Sequence, residues 1–332
     1  MKKLTKLLSA ALALTLTLSL AACGEKPADP AAPEGTAKVY KIGISQFGEH
    51  PSLDNCRLGF MEGLKQAGLV EGTDFTVDYQ NAGFDNNVAI QIGGGFSAAD
   101  VDLMVAVATP SATACYAAAE DKDIPVIFTA ITDPVEAKLD SGNVTGTSDA
   151  LPVAGQLDLI RQLQPNAKTI GIIYTTSEPN SVSAVATYET LAAEYGFTID
   201  ALGVTAQSEV TQAVDTLLSH KVDCLSNLTD NAVVGVLPSI LEKTNEAGIP
   251  VYGSEIEQMK IGCVAGAGLD YFQLGIQTGM MAAKVLRGET TCADLPYETI
   301  ENFGLYLNSE ALNAMGITVP AAVSDKAVEA AA

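Results

Sequence analysis

The segments "KIGIS" (residues 41–45) and "TIGII" (residues 169–173) decide the fold, because each opens a series of short apolar runs that continue in the same order. Two further pairs are "VDLMVAVATP" (101–110) with "VDCLSNLTDN" (222–231) and "IPVI" (124–127) with "IPVY" (249–252). The three offsets are 128, 121 and 125 residues. Three similar pairs in one order, at nearly one offset, predict two copies of the same αβ unit.

Within each copy, short β-branched runs alternate with longer helical patterns, which is typical of a parallel sheet with crossover helices. The predicted strands cover 38–45, 75–81, 101–108 and 124–129 in the first copy and 169–174, 198–203, 222–228 and 249–253 in the second. Helices are predicted over 54–67 and 181–195. The fold class is therefore α/β, with two Rossmann-like lobes whose parallel sheets flank a central cleft. Such sheets bind ligands beyond the carboxyl ends of their strands.

The N-terminus has the pattern of a targeting segment. Three lysines within the first six residues precede an uncharged apolar run over 7–20, which is shorter than the about 20 residues that span a bilayer. The run ends in Leu20-Ala21-Ala22-Cys23, which resembles the bacterial lipobox, where the cysteine carries a diacylglycerol after cleavage behind Ala22. We therefore expect a lipoprotein signal peptide over 1–22 and a membrane anchor at Cys23. The alternative is an ordinary secretory signal in which Cys23 has no role.

Residues 23–37 are rich in proline, alanine and glutamate and predict a disordered tether. Cleavage would remove three lysines and no acid, so the formal net charge would change from −22 to −25. Such a chain repels nucleic acid and anionic lipid surfaces. We therefore expect only the acyl chains on Cys23 to bind the protein to the membrane.

The remaining cysteines are odd in number and far apart, and they form no CxxC pair: Cys56, Cys115, Cys224, Cys263 and Cys292. This spacing argues against a disulfide framework or a zinc site. We expect five buried thiols, and no metal or cofactor.

Polar residues cluster in the loops after the predicted strands. They are Ser45, Gln46, Thr109, Pro110, Ser111, Thr129 and Asp133 in the first copy and Tyr174, Asn180, Ser181, Asp230, Asn231, Glu255 and Asp270 in the second or after it. Any one of them is explained as a helix cap or, for Pro110, as a first helical residue. Their number on one face of a two-lobed cleft favours a ligand site.

Several of these loops belong to a more specific pattern: "IGISQFGEHPSLD", "VAVATPSA", "PVIFTAITDPV", "GNVTGTSD", "NAKTIGIIYTTSEPNS", "LTDNAVV" and "GLDYFQLGIQTG". Over about residues 40–320, the chain resembles the substrate-binding lipoproteins of ABC importers in the tryptophan/tyrosine-type (TrpX-like) family. The resemblance implies a type I periplasmic-binding fold in which the chain crosses between the lobes three times.

We expect these crossings near residues 150–152, around Gly268 and near Pro296. Lobe 1 would then comprise 38–151 and 269–296, and lobe 2 would comprise 152–268 and 297–318, with a flexible tail over 319–332. One departure from the family is Gly93-Gly94-Gly95 inside a predicted helix. Glycine costs on the order of 1 kcal/mol against alanine in a helix interior, so we expect that helix to be irregular.

The predicted loops suit a free amino acid. Its carboxylate would meet hydroxyls and N–H groups at helix N-termini, for which the candidates are Thr109, Ser111 and Thr129. Its ammonium needs an unpaired acid, and Asp133, Asp230, Glu255 and Asp270 compete for that role. Gln46 and Asn231 would add amide hydrogen bonds, Asn180 and Ser181 would close over the ligand, and Phe47 or Tyr174 would stack on an aromatic side chain or simply pack within a lobe.

The function expected from the resemblance is capture of a small amino acid, of the aromatic class, by a monomeric extracytoplasmic lipoprotein that delivers it to an ABC permease and its ATPase. A sensor that presents its closed form to a membrane receptor is the alternative, as is another amino acid or a nucleoside as ligand. An enzyme is disfavoured, since His50 and His220 are the only histidines and no GxSxG or HExxH motif occurs.

Overall fold

The computed structural model describes residues 38–300 and 303–330, which form two αβ lobes. The first lobe contains β1 (Tyr40–Gln46), α1 (Pro51–Gln66), β2 (Phe75–Asn81), α2 (Asn86–Ala98), β3 (Leu103–Val107), α3 (Thr109–Ala119), β4 (Val126–Ile131) and β5 (Val144–Ser148). The second contains α4 (Val153–Leu163), β6 (Thr169–Thr175), α5 (Pro179–Leu191), β7 (Thr198–Val204), α6 (Val210–Ser219), β8 (Cys224–Ser226), α7 (Asn231–Val234), α8 (Leu237–Ala247), β9 (Val251–Glu255), α9 (Ile256–Ile261) and β10 (Ala265–Leu269). The chain ends with α10 (Tyr271–Leu286), β11 (Glu298–Thr299), β12 (Gly304–Leu307), α11 (Ser309–Ala314), α12 (Ala321–Ser324) and β13 (Val328–Glu329).

The two sheets share one strand order, which confirms the predicted duplication. The first sheet runs β2-β1-β3-β4-β5 and the second β7-β6-β8-β9-β10, and these neighbours are parallel. Parallel strands that are covered by helices on both faces read as continuous apolar runs, and β3 and β4 are buried at every residue. The one antiparallel neighbour among these strands is β12, which pairs with β10 in the second sheet.

The described elements change lobe three times along the chain. The first crossing lies between β5 and α4 and the second between β10 and α10. The third was predicted near Pro296, and that position is wrong. Strand β11 still pairs with β5 of the first lobe, so the described chain leaves lobe 1 only after Thr299, and β12 belongs to the second sheet. A two-residue, exposed edge strand carries no apolar pattern that would mark it in the sequence.

The prediction of a flexible tail is also wrong for its described residues. Strand β13 pairs with β12 in parallel and extends the second sheet. Val323 is 1% exposed and Ala330 is 5% exposed. Two buried side chains and a short strand therefore fix this segment to lobe 2.

Helix α2 is continuous despite its three glycines, contrary to expectation. Asp85 caps it by accepting from Asn87 N–H at 2.7 Å. Gly93 packs on α3, where an added Cβ would lie 2.9 Å from the carbonyl oxygen of Ala114. Gly94 has nothing within 4 Å of an added Cβ. Close packing explains why residue 93 is a glycine, and nothing in the structure explains the glycine at position 94.

Helices α1 and α10 pack through glycines on both sides. A Cβ added to Gly63 of α1 would lie 2.2 Å from the carbonyl oxygen of Ile276 in α10. A Cβ added to Gly275 of α10 would lie 2.1 Å from the carbonyl oxygen of Cys56 in α1. Such close backbone contact joins the helix that follows the second crossing firmly to lobe 1. The N-termini of both helices lie at the boundary between the lobes.

The five cysteines predicted to be buried thiols are buried and unbridged. The signal peptide, the tether and Cys23 lie outside the described residues. Within 38–300 and 303–330, no helix combines the length and apolar character needed to cross a membrane. The same residues include no group of three or more His, Cys, Asp or Glu that could hold a metal ion.

Candidate functional site

A small cavity, here called the interlobe cavity, lies between the lobes beyond the carboxyl ends of the strands. Its volume is about 10 Å³, which is roughly the room that one water molecule needs. Its lining is His50, Leu53 and Ala130 from lobe 1, Asn180, Thr229, Asn231 and Glu255 from lobe 2, and Asp149 and Tyr271 from the first two crossings. Asn180, Asn231 and Glu255 are the sequence candidates that lie in this lining.

One end of the cavity, here called the acidic end, contains two buried carboxyl groups. The hydroxyl of Tyr271 donates to Oδ2 of Asp149, while Oδ1 of Asp149 is buried without a partner among the described residues. Glu255 accepts from Ser52 Oγ at 2.6 Å. Burial raises the pKa of Asp149 above its ordinary value and raises the pKa of Glu255 to about 8. An ion of positive charge would stabilise the ionised form of both groups.

A second group of lining residues, here called the amide-imidazole group, is organised by Glu178. This carboxylate accepts from the side-chain amides of both Asn231 and Asn180 and from the N–H of Asn231 at 3.0 Å. Asn180 Oδ1 and His50 Nδ1 are buried without partners within the described chain. Burial, chiefly, and the neighbouring Asp230 raise the pKa of Glu178 to about 8, and burial lowers the pKa of His50 to about 4.

Two alanines at the ends of neighbouring strands have backbones that are unusual for an L-residue. Ala108 follows β3 with φ 79°, and Ala130 lies within β4 with φ 60°. A non-glycine residue in this region costs of order 1 to 3 kcal/mol and persists where the surrounding structure enforces it, often at functional sites. Ala130 lines the interlobe cavity, so this strain lies at the site itself.

The lobes are joined by hydrogen bonds that surround the cavity. Ser52 Oγ donates to Glu255, and Asn55 Nδ2 donates to Glu257 Oε1 at 2.8 Å. Ser183 Oγ of lobe 2 donates to Asp133 Oδ2 of lobe 1 at 2.8 Å. The structure is therefore in a closed state, and Asp133 contributes to lobe closure outside the cavity lining.

Asp230 and Asp270 were candidates for an unpaired acid, and the structure places both outside the cavity lining. Asp230 caps α7 and accepts from Thr175 N–H at 2.6 Å and from Thr175 Oγ1 at 2.9 Å. Asp270 caps α10 and accepts from Phe272 N–H at 2.9 Å. Asp230 accepts through both carboxylate oxygens and Asp270 through Oδ1, and both serve as helix caps.

The remaining candidates of lobe 1 also lie outside the lining. Ser45 Oγ donates to Ser111 Oγ at 3.1 Å, and both residues are fully buried. Gln46 bonds to Asp54 and Arg57 on α1, and Thr129 lies between Cys56 and Thr147 in the core. Thr109 and Pro110 begin α3, and Thr109 Oγ1 is buried without a partner among the described residues. Apart from the Thr109 hydroxyl, these hydroxyls and amides form hydrogen bonds within lobe 1.

In lobe 2, Tyr174 is half-buried and packs on the lobe's own core beside Gly203. Ser181 accepts from Asn180 Nδ2 at 3.3 Å and is itself outside the lining. Phe47 of lobe 1 packs edge-on against Phe84, with ring centroids 6.1 Å apart. None of these three side chains lines the cavity.

Sequence reasoning missed six lining residues: His50, Leu53, Ala130, Asp149, Thr229 and Tyr271. Asp149 follows β5, a strand that the sequence did not predict, and Tyr271 follows Asp270, which was preferred as a candidate because it carries a carboxylate. A signal did exist for both, because the family-like segments "GNVTGTSD" and "GLDYFQLGIQTG" include them.

Comparisons with known proteins agree with this architecture. The sequence model of the family described as ABC transporter substrate binding protein matches residues 41–331. A tyrosine-binding protein of Clostridioides difficile (strain R20291) is 38% identical over 326 residues, which cover 95% of this chain and 93% of that protein.

Two solved structures of relatives differ in state. The ABC domain from Streptococcus pneumonia in complex with L-Trp is 33% identical, with a TM-score of 0.84, and the match covers 88% of this chain and 99% of that chain. A ligand-free, open substrate binding protein with adhesive properties from Clostridium difficile is 36% identical, with a TM-score of 0.65. That match also covers 88% of this chain and 99% of the other chain. The present structure is thus more similar to the ligand complex, although the sequence identity is slightly lower.

Proposed function

The chain belongs to the family of ABC transporter substrate-binding proteins, and from this premise we propose that it binds an aromatic amino acid in the interlobe cavity and delivers it to an ABC permease. Its fold is that of the type I periplasmic binding proteins. Proteins of this family act outside the cytoplasm and are generally not enzymes.

The single observation that carries the proposal is the set of buried acceptors without partners. Asp149 Oδ1 and Asn180 Oδ1 are acceptors, and none of the nine residues that line the cavity is lysine or arginine. A buried polar atom without a partner costs about 1 to 3 kcal/mol. A ligand that brings hydrogen-bond donors and positive charge would remove this cost, and a primary ammonium supplies three donors.

We assign the ammonium to the acidic end, between Asp149 and Glu255. Both side chains are buried, at 2% and 1% exposure, so their attraction to an ammonium is only weakly screened by water. The ammonium of a free amino acid is cationic at neutral pH. A sugar or a nucleoside lacks this charge, and it would leave the two carboxyl groups to be buried without a counter-ion.

The ligand carboxylate lies on the same carbon atom as the ammonium, so it must be bound near the same end. The first turn of α1 offers the N–H groups of Ser52 and Leu53, for which the described residues provide no hydrogen-bond partner. Helix N-termini favour anions through these free N–H groups and the helix dipole. In this arrangement the two acidic side chains bind the ligand ammonium, and the N–H groups of α1 bind the ligand carboxylate, so no basic side chain is needed.

The closed state explains why the empty cavity is small. Its volume of about 10 Å³ is far below the roughly 300 to 1,000 Å³ that is typical of small-molecule sites. Parting of the lobes at the three crossings would admit an aromatic amino acid, and contacts from both lobes would then favour closure around it. The greater similarity to the L-Trp complex than to the open relative supports this account.

We further propose that Cys23 carries a lipid that anchors the mature chain to the membrane. The support is the sequence Leu20-Ala21-Ala22-Cys23 at the end of an apolar run. With a formal net charge of −25 after cleavage, the chain itself has no electrostatic attraction to anionic lipids. A monomer is the proposed functional form, because one chain supplies both lobes of the site.

A thermal-shift screen of residues 24–332 against the twenty amino acids, common nucleosides and sugars tests the ligand class. A ligand at 100 times its dissociation constant adds about 2.7 kcal/mol of stability. We expect a rise in melting temperature with aromatic amino acids. A rise with nucleosides or sugars, and none with any amino acid, would refute the proposed function.

A further inference from the structure

The loop between β2 and α2 holds an aromatic residue in a strained backbone conformation. Phe84 has φ 63°, and Gly83 before it has φ 60°. A bulky residue at positive φ is a genuine outlier, and such strain persists only where the surrounding structure enforces it. Here the N–H of Phe84 donates to the carbonyl oxygen of Phe47 at 2.8 Å, and the next residue, Asp85, caps α2. The loop thereby fixes the direction in which the Phe84 side chain leaves the backbone.

Within lobe 1, the ring of Phe84 packs on a residue that lines the interlobe cavity. It stacks on the imidazole of His50 with an interplanar angle of 5° and a centroid distance of 6.5 Å, and it meets Phe47 edge-on. A Cβ added to Gly48 would lie 1.9 Å from Cε1 of Phe84, so a larger residue at position 48 would displace the ring. Phe84 does not itself line the cavity, so it acts on the site through His50.

The same ring also contacts lobe 2. A Cβ added to Gly235, which follows α7, would lie 3.1 Å from Cζ of Phe84. Gly235 has the backbone of an ordinary helical residue, with φ −58°, so the contact with Phe84 depends on its missing side chain and not on its backbone freedom. Because the two residues belong to different lobes, this contact is lost when the lobes part.

Phe84 also lines a groove between the lobes, here called the outer groove. Its volume is about 390 Å³, and Glu178 and Gln207 of lobe 2 are among its other lining residues. Phe84 stacks on His50, and Glu178 accepts from Asn231, and both of these partners line the interlobe cavity. The outer groove and the cavity therefore share a wall, and the ring of Phe84 is part of that wall.

We propose that Phe84 is an interlobe latch, which closes the wall between the cavity and the outer groove and sets the rate at which a bound ligand is released. This inference rests on the proposed function and adds a residue that lies outside the cavity lining. The contact with Gly235 forms only when the lobes close. The latch therefore slows dissociation and leaves the encounter of a ligand with the open lobes unchanged.

The test compares ligand kinetics in four variants of the protein. Phe84→Ala removes the ring, and Gly235→Val places a side chain against the ring from the opposite lobe. Tyr79→Ala, at an exposed aromatic residue of lobe 1, is the control for the first change. Gly155→Val is the control for the second, at an exposed helical glycine of lobe 2 where an added Cβ meets only Pro152, at 3.9 Å. Urea unfolding of each variant establishes that it is folded.

The chain contains no tryptophan, so the fluorescence of tryptophan as ligand reports its binding and release in stopped-flow mixing. Release of radiolabelled tyrosine into excess unlabelled tyrosine gives the dissociation rate of the second ligand. We expect Phe84→Ala and Gly235→Val each to raise the dissociation rate by at least about fivefold, because each removes or displaces an aromatic contact between the lobes. The association rate should stay within about twofold of the parent's. Both controls should match the parent.

A double variant shows whether the two residues act through their contact. In Phe84→Ala/Gly235→Val the valine meets no ring, so the dissociation rate should be no higher than in Phe84→Ala alone. The inference is overturned if the two single effects multiply in the double variant, or if Phe84→Ala releases ligand within about twofold of the parent's rate. A change confined to the association rate would also contradict it.

All of these contrary results leave the proposed function intact. A parent that binds neither tyrosine nor tryptophan refutes the proposed function itself, and the inference with it. If Phe84→Ala does not fold, the comparison of Gly235→Val with Gly155→Val decides the question.

Discussion

The hydroxyl group of Tyr271 donates to Oδ2 of Asp149, although the two residues are 122 positions apart in the chain. Asp149 lies at the first crossing between the lobes and Tyr271 at the second, so this bond joins two hinge segments at the acidic end of the interlobe cavity. It occupies Oδ2 of Asp149 and leaves Oδ1, which has no partner among the described residues, for the ligand ammonium in our assignment.

The first prediction concerns Asp149→Asn. The amide oxygen can still accept from Tyr271, but the negative charge is lost, and loss of one partner of a buried charged pair typically costs about 2 to 5 kcal/mol. Binding of tyrosine or tryptophan should weaken by roughly 30-fold or more, as measured by titration calorimetry. Asp270→Asn is the matched control, because asparagine caps helices as well as aspartate does. If Asp270→Asn weakens binding as much as Asp149→Asn, the assignment of the ammonium is wrong.

The second prediction concerns pH. Burial raises the pKa of Glu255 to about 8 from 4.5, so protonation of this carboxyl stabilises the unliganded fold below about pH 4.5, and this contribution is lost as the pH rises through 8. A bound ammonium favours the ionised carboxylate instead. Ligand affinity should therefore increase between pH 5 and pH 8. Titrations across this range should show the increase for the parent and a smaller one for Glu255→Gln. A pH-independent affinity in the parent would argue against contact between the ammonium and Glu255.

The sequence predicted the two lobes well because the pattern that marks each strand is local. Strands β3 and β4 are fully buried and read as continuous apolar runs, and the same runs recur in the second copy. Strand β11 has two exposed residues, and its pairing depends on a chain segment about 150 positions earlier. Such an edge strand leaves no local pattern, which is why the third crossing was misplaced.

The site was predicted less completely, for a different physical reason. An aspartate at the start of a helix has the same sequence context whether it caps the helix or binds a ligand. Asp230 and Asp270 are caps, and Glu255 at the end of β9 lines the cavity. Only the three-dimensional arrangement shows which acceptors remain unpaired. Asp149, on a hinge segment, is distinguished from the capping aspartates by that criterion.

The third prediction compares two adjacent glycines of α2. An alanine Cβ at Gly93 would lie 2.9 Å from the carbonyl oxygen of Ala114, so α2 and α3 would have to separate. At Gly94 the added Cβ meets nothing within 4 Å. Urea unfolding should show that Gly93→Ala lowers the free energy of unfolding by about 1 to 3 kcal/mol, while Gly94→Ala raises it by about 0.5 to 1 kcal/mol. Equal effects of the two changes would contradict the close packing of α2 on α3.

The fourth prediction concerns the anchor. Cys23→Ser removes the thiol to which a lipid would be attached and should leave a folded protein that no longer sediments with membranes. Cys292→Ser, at a buried cysteine of the folded part, is the control and should leave membrane association unchanged. Unchanged membrane retention of Cys23→Ser would refute the proposed lipid anchor.

The central claim is that the interlobe cavity recognises a free amino acid through its ammonium group. Calorimetric titration of the protein with tyrosine and tryptophan, beside their N-acetylated forms, tests this claim most directly, because acetylation removes the positive charge and leaves the aromatic ring intact. We predict that both free amino acids bind and that both N-acetylated forms bind at least about 30-fold more weakly. Equal affinity for the free and acetylated forms would contradict the claim.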